Sequence, residues 1–270
     1  MLARARETGI RLERRSVMAQ LAETAALVTG AGTGIGAAIA RDLAAAGAAV
    51  VLVGRRPGPL EQVAAQIRER GGVAEAFAAD ITERAQALRA VEHAIAAFGR
   101  LDIVVNNAGV MLVGPVAEAP EGEWESMIDV NLTGTLYVTQ AAIPHLVKSA
   151  ATGPRRVADI VTISSTAGRV ARAGNAVYNL TKFGVNAFSE ALRQELQPQR
   201  VRVGVVEPGT VDTDLATHTR AELRESVQAQ VGAIERLAPE DIADAVTYMV
   251  GRDRRVAVNE MLVRSADQTW

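Results

Sequence analysis

The sequence predicts a single α/β domain, a doubly wound, seven-stranded parallel sheet with helices on both faces. Two patterns predict it. Short β-rich runs alternate with longer segments of 3.6-residue apolar period, and runs such as Ala-Val-Val-Leu-Val and Ile-Val-Thr-Ile are apolar on both faces, as strands covered by helices from both sides must be. No repeat, low-complexity tract or Pro/Gly/Ser linker interrupts residues 20–265, so one domain is expected over 18–270.

The elements follow in order. Residues 25–29 (Ala-Ala-Leu-Val-Thr) read as the first strand, and a glycine-rich turn leads into a helix at 35–46. The second strand, 50–54, is followed by a helix at 60–70, where Leu60, Val63, Ala64 and Ile67 share one face. A strand at 73–78 precedes a helix at 82–98, and a strand at 103–106 precedes a long helical segment at 123–148. The remaining strands are 158–164, 201–207 and 257–263, separated by helices at 178–197 and 239–251. Residues 1–17 stand apart. Five arginines against two glutamates give them a charge of +3, leaving −5 for the rest of a chain whose total is −2. They lack the apolar centre of a secretory signal and are expected to be a disordered or wrongly assigned leader, with a short capping helix as the alternative.

Composition excludes several functions. Of 270 residues, 49% are hydrophobic, enough to bury one large core, and the near-balanced charge argues against nucleic-acid binding. The absence of cysteine rules out disulfides, thiolate zinc sites and a cysteine nucleophile. His93, His145 and His218 show none of the short spacings of metal ligands, so no metal site is expected. No apolar run approaches the roughly 18 residues of a membrane span, and a cytoplasmic protein without a membrane partner is expected.

The turn Thr29-Gly-Ala-Gly-Thr-Gly-Ile-Gly36 joins the first strand to the first helix. Glycines there permit a tight turn and bring backbone N–H groups to a pyrophosphate at a helix N-terminus, where the dipole favours negative charge. Gly30, Thr33, Gly34, Ile35 and Gly36 are therefore candidate dinucleotide ligands in a Rossmann-type domain. A dinucleotide fold selecting NAD usually ends its second strand in a carboxylate that holds the adenosine ribose. Here the strand ends Val53-Gly54-Arg55-Arg56, two guanidiniums suited to a 2′-phosphate, so NADP(H) is expected over NAD(H).

With those residues placed, residues 22–265 resemble the classical short-chain dehydrogenase/reductases. Thr29, Gly30, Gly34 and Gly36 match the family's TGxxxGxG turn, and Asp80-Ile81 is similar to its adenine-contacting pair. Asn106-Asn107-Ala108-Gly109 matches the NNAG segment, and Pro208-Gly209-x-Val211-x-Thr213 resembles the segment holding the nicotinamide carboxamide. Narrower likeness, in residues 106–115, 178–190 and 258–264, points to the NADP-dependent branch that includes clavulanate dehydrogenase and the 3-hydroxy acid (serine-type) dehydrogenases. The tail departs from the family's Arg-Pro-Thr ending, with Arg264-Ser265-Ala266, a change expected to touch packing and leave the chemistry alone.

Tyr178 and Lys182 stand at i and i+4 on a helix, on one face. A carbonyl accepting hydride needs a proton, and a phenol whose pKa is lowered by a nearby ammonium and a cationic nicotinamide could supply it and retrieve it. Tyr178 is thus the expected acid/base. The resemblance implies that Lys182 also holds the nicotinamide ribose, that Ser165 binds the substrate oxygen, and that Asn131 positions a water linking Lys182 to solvent. The family's offset to the tyrosine selects Ser165 over Ser164.

The substrate pocket is expected from residues 111–113, 166–168, 175–177 and 213–235, the last reading either as a lid or as an ordinary surface helix. Arg169 and Arg172 read as surface arginines, with a substrate carboxylate as the alternative. The expected function is an NADP(H)-dependent oxidoreductase acting on a small-molecule carbonyl or alcohol. Two alternatives stay open, a 3-oxoacyl thioester reductase and a non-catalytic NADP(H)-binding sensor. The resemblance implies a homotetramer, with a dimer as the alternative.

Overall fold

The computed structural model describes residues 20–215, 232 and 234–269; the expected leader at 1–17 lies outside them. The strands are β1 (Ala25–Thr29), β2 (Ala49–Gly54), β3 (Val73–Ala78), β4 (Ile103–Asn106), β5 (Ala158–Ile163), β6 (Val201–Pro208) and β7 (Glu260–Val263). They form one sheet in the order β3-β2-β1-β4-β5-β6-β7, and every neighbouring pair is parallel. The chain leaves β1 toward β2 and β3, then crosses back to lay β4 on the other side of β1. A crevice therefore opens beyond the carboxyl ends of β1 and β4, the topological switch point where ligands bind in open α/β sheets.

Alternate strand residues serve two cores. Ala26, Val28, Val50, Leu52, Ile103 and Val105 pack beneath α1 (Gly34–Ala45), α2 (Pro57–Glu69) and α7 (Pro239–Val250). Leu27, Val51, Val53, Val104 and Ile160 pack beneath α3 (Arg84–Phe98), α5 (Thr135–Thr152) and α6 (Ala176–Leu196). This two-sided burial is the physical reason the central strands carry no polar alternation, whereas the edge strands β3 and β7 are partly exposed.

Two expected elements differ. The last strand, expected at 257–263, is confined to Glu260–Val263. The helical segment at 123–148 is not continuous: α4 (Glu123–Ile128) passes into a π-helical turn, Asp129–Gly134, before α5 begins. Such a turn rotates the following residues and commonly occurs at functional sites. It packs tightly here, since a Cβ on Gly134 would lie 2.7 Å from Ile81 Cγ1. The turn carries Asn131.

Candidate active site

Sequence and local chemistry build the first wall. Thr29, at the end of β1, is buried, and its hydroxyl accepts the backbone N–H groups of Asn107 and Ala108, each at 3.0 Å. Asn107 Nδ2 donates back to Thr29 O at 2.9 Å and to Gly30 O at 3.3 Å. The glycine turn and the end of β4 are thus fastened into one cradle. Gly30 takes the left-handed conformation, with φ +64°, and a Cβ there would lie 2.9 Å from Ala108 Cα. A Cβ on Gly36 would lie 2.3 Å from Gly30 O. No other residue fits either position without moving backbone.

The second wall comes from β5 and α6. Beyond β5, Ser165 caps a 3-10 turn, Thr166–Gly168, by accepting the Ala167 N–H at 3.1 Å. Its own proton is left for the Tyr178 phenol, to which it is hydrogen-bonded. The neighbouring Ser164 hydroxyl instead donates to Lys182 O at 3.4 Å, within α6. The inward stripe of α6 begins polar, with Tyr178, Thr181 and Lys182, and turns apolar at Val185, Leu192 and Leu196. One helix face therefore serves the site at its start and the core at its end.

Tyr178 and Lys182 are each only 6% exposed. Burial pushes the tyrosine up to about 12, with the Ser165 hydrogen bond working the other way. Burial pushes Lys182 down to about 8. Without the cationic nicotinamide that is expected to lower the Tyr178 pKa together with Lys182, burial dominates. Lysine Nζ donates to Ile163 O at 2.9 Å and lies over the face of the Tyr178 ring, 5.7 Å from its centroid, where it is poorly placed to stabilise charge on the phenolic oxygen.

These walls enclose a cavity of about 930 Å³. It is lined by Gly30, Thr33, Gly34, Ile35 and Gly36, by Arg55 and Arg56, by Asp80 and Ile81, and by Asn107, Ala108 and Gly109. Ser165, Tyr178, Lys182, Pro208, Gly209, Val211 and Thr213 complete the set named from the sequence, apart from Asn131. Arg55 and Arg56 are exposed at its rim, and no hydrogen bond or ion pair ties either to another described residue. Asp80 turns one carboxylate oxygen to the Thr82 N–H and hydroxyl, at 3.0 and 2.8 Å.

Asn131 does not line the cavity. Its Oδ1 accepts the Val110 N–H at 2.8 Å, and its Nδ2 donates to Val110 O at 2.9 Å and Thr181 Oγ1 at 3.1 Å. This two-way clasp ties the loop after β4 to α6 one residue before Lys182. Of the expected substrate pocket, Met111, Val113, Thr166, Ala167, Asn175, Thr213, Asp214 and Leu215 line the cavity. Gly168 is instead covered by Asn186, and residues 216–231 and 233 lie outside those described.

Arg169 is held by two carboxylates, Glu207 and Glu260, at 2.5 Å each. Glu207 is fully buried at the end of β6 and also accepts from Asn186 Nδ2 at 2.8 Å, so Arg169 braces the Ser165 turn against β6. Arg172 lines the cavity. Sequence reasoning missed Gln268, which lines it too from the far end of the chain. No local pattern marks such a residue.

Known proteins are similar to this chain in sequence and in fold. The sequence profile of a family described as short chain dehydrogenase matches residues 24–224. An uncharacterized oxidoreductase of Staphylococcus epidermidis is 36% identical over 247 residues, 92% of this chain and 99% of that one. Among solved structures, 3-ketoacyl-(acyl-carrier-protein) reductase from Brucella melitensis, complexed with NADH, is 33% identical with a TM-score of 0.80, over 91% of this chain and 98% of that one. The closed form of a serine dehydrogenase complexed with NADP+ is 31% identical with a TM-score of 0.81, over 92% and 97% of the two chains.

Proposed function

This chain belongs to the short-chain dehydrogenase family, and from that premise we propose that it is an NADPH-dependent reductase of small-molecule carbonyls, reversible as an alcohol dehydrogenase. One observation carries the reading. The hydrogen-bonded Ser165 and Tyr178 hydroxyls and the Lys182 ammonium open onto the same cavity as the glycine turn and the two free-standing arginines.

The residues fit a nicotinamide dinucleotide. Gly30, Thr33, Gly34, Ile35 and Gly36 would present backbone to its pyrophosphate at the start of α1, Asp80 and Ile81 would meet its adenine, and Asn107, Ala108 and Gly109 would lie along it. Pro208, Gly209, Val211 and Thr213 would hold the carboxamide, and Lys182 the ribose beside it. When bound, the dinucleotide supplies or accepts the hydride. Ser165 donates to the substrate oxygen and stabilises charge developing there. Tyr178 protonates that oxygen, and a phenol held up to about 12 keeps its proton throughout the neutral range, which suits reduction. Asn131 acts at one remove, by holding the loop after β4 and the Lys182 turn of α6 in place.

The solved relatives are complexed with NADH in one case and NADP+ in the other. Arg55 and Arg56 favour the phosphorylated cofactor here, because no carboxylate at the end of β2 repels a 2′-phosphate. Arg55→Asp is expected to weaken NADPH binding about 30-fold, the loss of a charge-assisted contact plus a repulsion, and to leave NADH binding within about threefold. Fluorescence titration with both dinucleotides measures this; equal losses for the two would mean that Arg55 does not read the phosphate.

The function is tested by following NADPH consumption with aldehydes, cyclic ketones, 3-oxo acids and 3-oxoacyl thioesters. The thioester arm is included because the Brucella melitensis relative is a 3-ketoacyl reductase. Tight NADPH binding with no turnover on any of them would favour a sensor. The exposed Leu136 on α5, Leu180 and Phe183 on α6, and Tyr248 on α7 support assembly as a homotetramer, with a dimer as the second possibility. Among the described residues no helix is long and apolar enough to cross a membrane.

A further inference from the structure

The chain's last described residues return to the site. After β7, Ser265 starts a turn in which its carbonyl accepts the Gln268 N–H at 3.0 Å, and this swings the Gln268 side chain under the segment that follows β6. Gln268 is 7% exposed, and its Oε1 accepts the Thr210 N–H at 2.9 Å, across 58 residues of sequence. Because the partner is a backbone donor, the oxygen of the carboxamide must be the atom that faces it. The carboxamide lies flat on Gly209: a Cβ there would sit 2.1 Å from Oε1 and 3.0 Å from Cδ. Gly209 is not among the glycines with positive φ, so its missing side chain is required by Gln268 and not by the backbone conformation.

The tail also ties down the other side of the same segment. Asp267 Oδ2 accepts the Glu235 N–H at 3.2 Å, and residues 235–237 are in turn joined to 210–212, with Leu237 N donating to Thr210 O at 3.0 Å and Asp212 N to Leu237 O at 2.8 Å. Thr210 thus has its N–H held by Gln268 and its C=O held by Leu237. A peptide fixed at both polar groups, next to the residues proposed to hold the carboxamide, has little freedom to turn away.

We propose that Gln268 is a positioning residue for the nicotinamide end of the dinucleotide site, its carboxamide oxygen fixing the Gly209–Thr210 peptide in the conformation that receives the cofactor. On this proposal the tail supports the cofactor site through Gln268, two residues beyond the Arg264-Ser265-Ala266 departure. The proposal rests on the dinucleotide reading above, and its primary readout is binding and not turnover.

The test is the dissociation constant of NADPH, by fluorescence titration of full-length protein, for wild type, Gln268→Met and Gln268→Glu. Methionine keeps the volume and loses the acceptor; glutamate keeps the acceptor. Gln268→Met is expected to weaken NADPH binding about tenfold, with Tm within about 2 °C of wild type, and Gln268→Glu to recover most of the loss. Its KM for NADPH should rise with that loss while kcat at saturating cofactor stays within about twofold. Gly209→Ala is expected to reproduce the Met phenotype by displacing Oε1, and the double variant to be no weaker than either alone. Binding by Gln268→Met equal to wild type, or by Gln268→Glu as weak as Gln268→Met, would overturn the positioning role while leaving the dinucleotide reading intact. A wild-type protein that binds no nicotinamide dinucleotide would overturn both.

Discussion

Tyr178→Phe is expected to lower kcat for carbonyl reduction by about 10³-fold while NADPH binds within about fivefold of wild type. Proton transfer by a positioned side chain contributes roughly 10²- to 10⁴-fold, and the phenylalanine ring leaves the volume of the 6%-exposed site unchanged. Folding should not suffer, because the lost hydroxyl has Ser165 as its partner and that serine still caps its own turn through Ala167. The pH dependence has a definite sign. Burial holds the wild-type phenol up to about 12, so the proton needed for reduction is present throughout the neutral range, whereas alcohol oxidation needs phenolate and should accelerate as pH rises above neutrality. A Tyr178→Phe protein reducing carbonyls within tenfold of wild type would remove Tyr178 from the chemistry.

How much of this is legible in the sequence depends on where each cause lies. The cradle is local: the residues from Thr29 to Gly36 contain both the turn and the start of α1, and Asn107 directly follows a four-residue strand beside them, so spacing alone brings them to one crevice. The sheet is legible for a similar reason, since burial on both faces leaves an apolar signature in every central strand. The π-helical turn is not legible. Its single-residue shift is lost within an apolar period that runs on into α5, and its anchor, the clasp of Asn131 on Val110, is a contact between distant segments. Gln268 and the Arg169–Glu207 brace are hidden in the same way, for each joins residues 38 or more positions apart that share no pattern. The burial of Tyr178 is hidden for another reason. Sequence spacing gives the nearness of Lys182 but not the depth of burial, and burial is the larger effect.

That burial also makes Lys182 costly to the fold, and Lys182→Met is expected to stabilise the protein while abolishing most of its turnover. The folded-state pKa of about 8 lies below the ordinary 10.5, so the folded form disfavours the ammonium. Below pH 8 both folded and unfolded chains carry the proton and the full penalty applies, roughly 3 kcal/mol for such a difference. Between pH 8 and 10.5 the folded chain has released the proton and the unfolded chain still holds it, so wild-type stability rises through that window. Methionine has no charge to desolvate, but it leaves the Ile163 carbonyl without its 2.9 Å donor, which returns about 1 kcal/mol of the gain. The variant should therefore exceed wild type by roughly 1–3 kcal/mol at pH 7, a rise in Tm of several degrees, and lose that advantage by about pH 10. Thermal denaturation of the cofactor-free protein at pH 7 and pH 10 measures it, and a variant less stable than wild type at pH 7 would mean that the ammonium is well solvated in the free enzyme. Turnover should fall at least about 10²-fold, because the same charge that the fold resists is the one that would hold the ribose beside the phenol. The site keeps a buried cation at the expense of stability, as a residue kept for chemistry and not for packing would be.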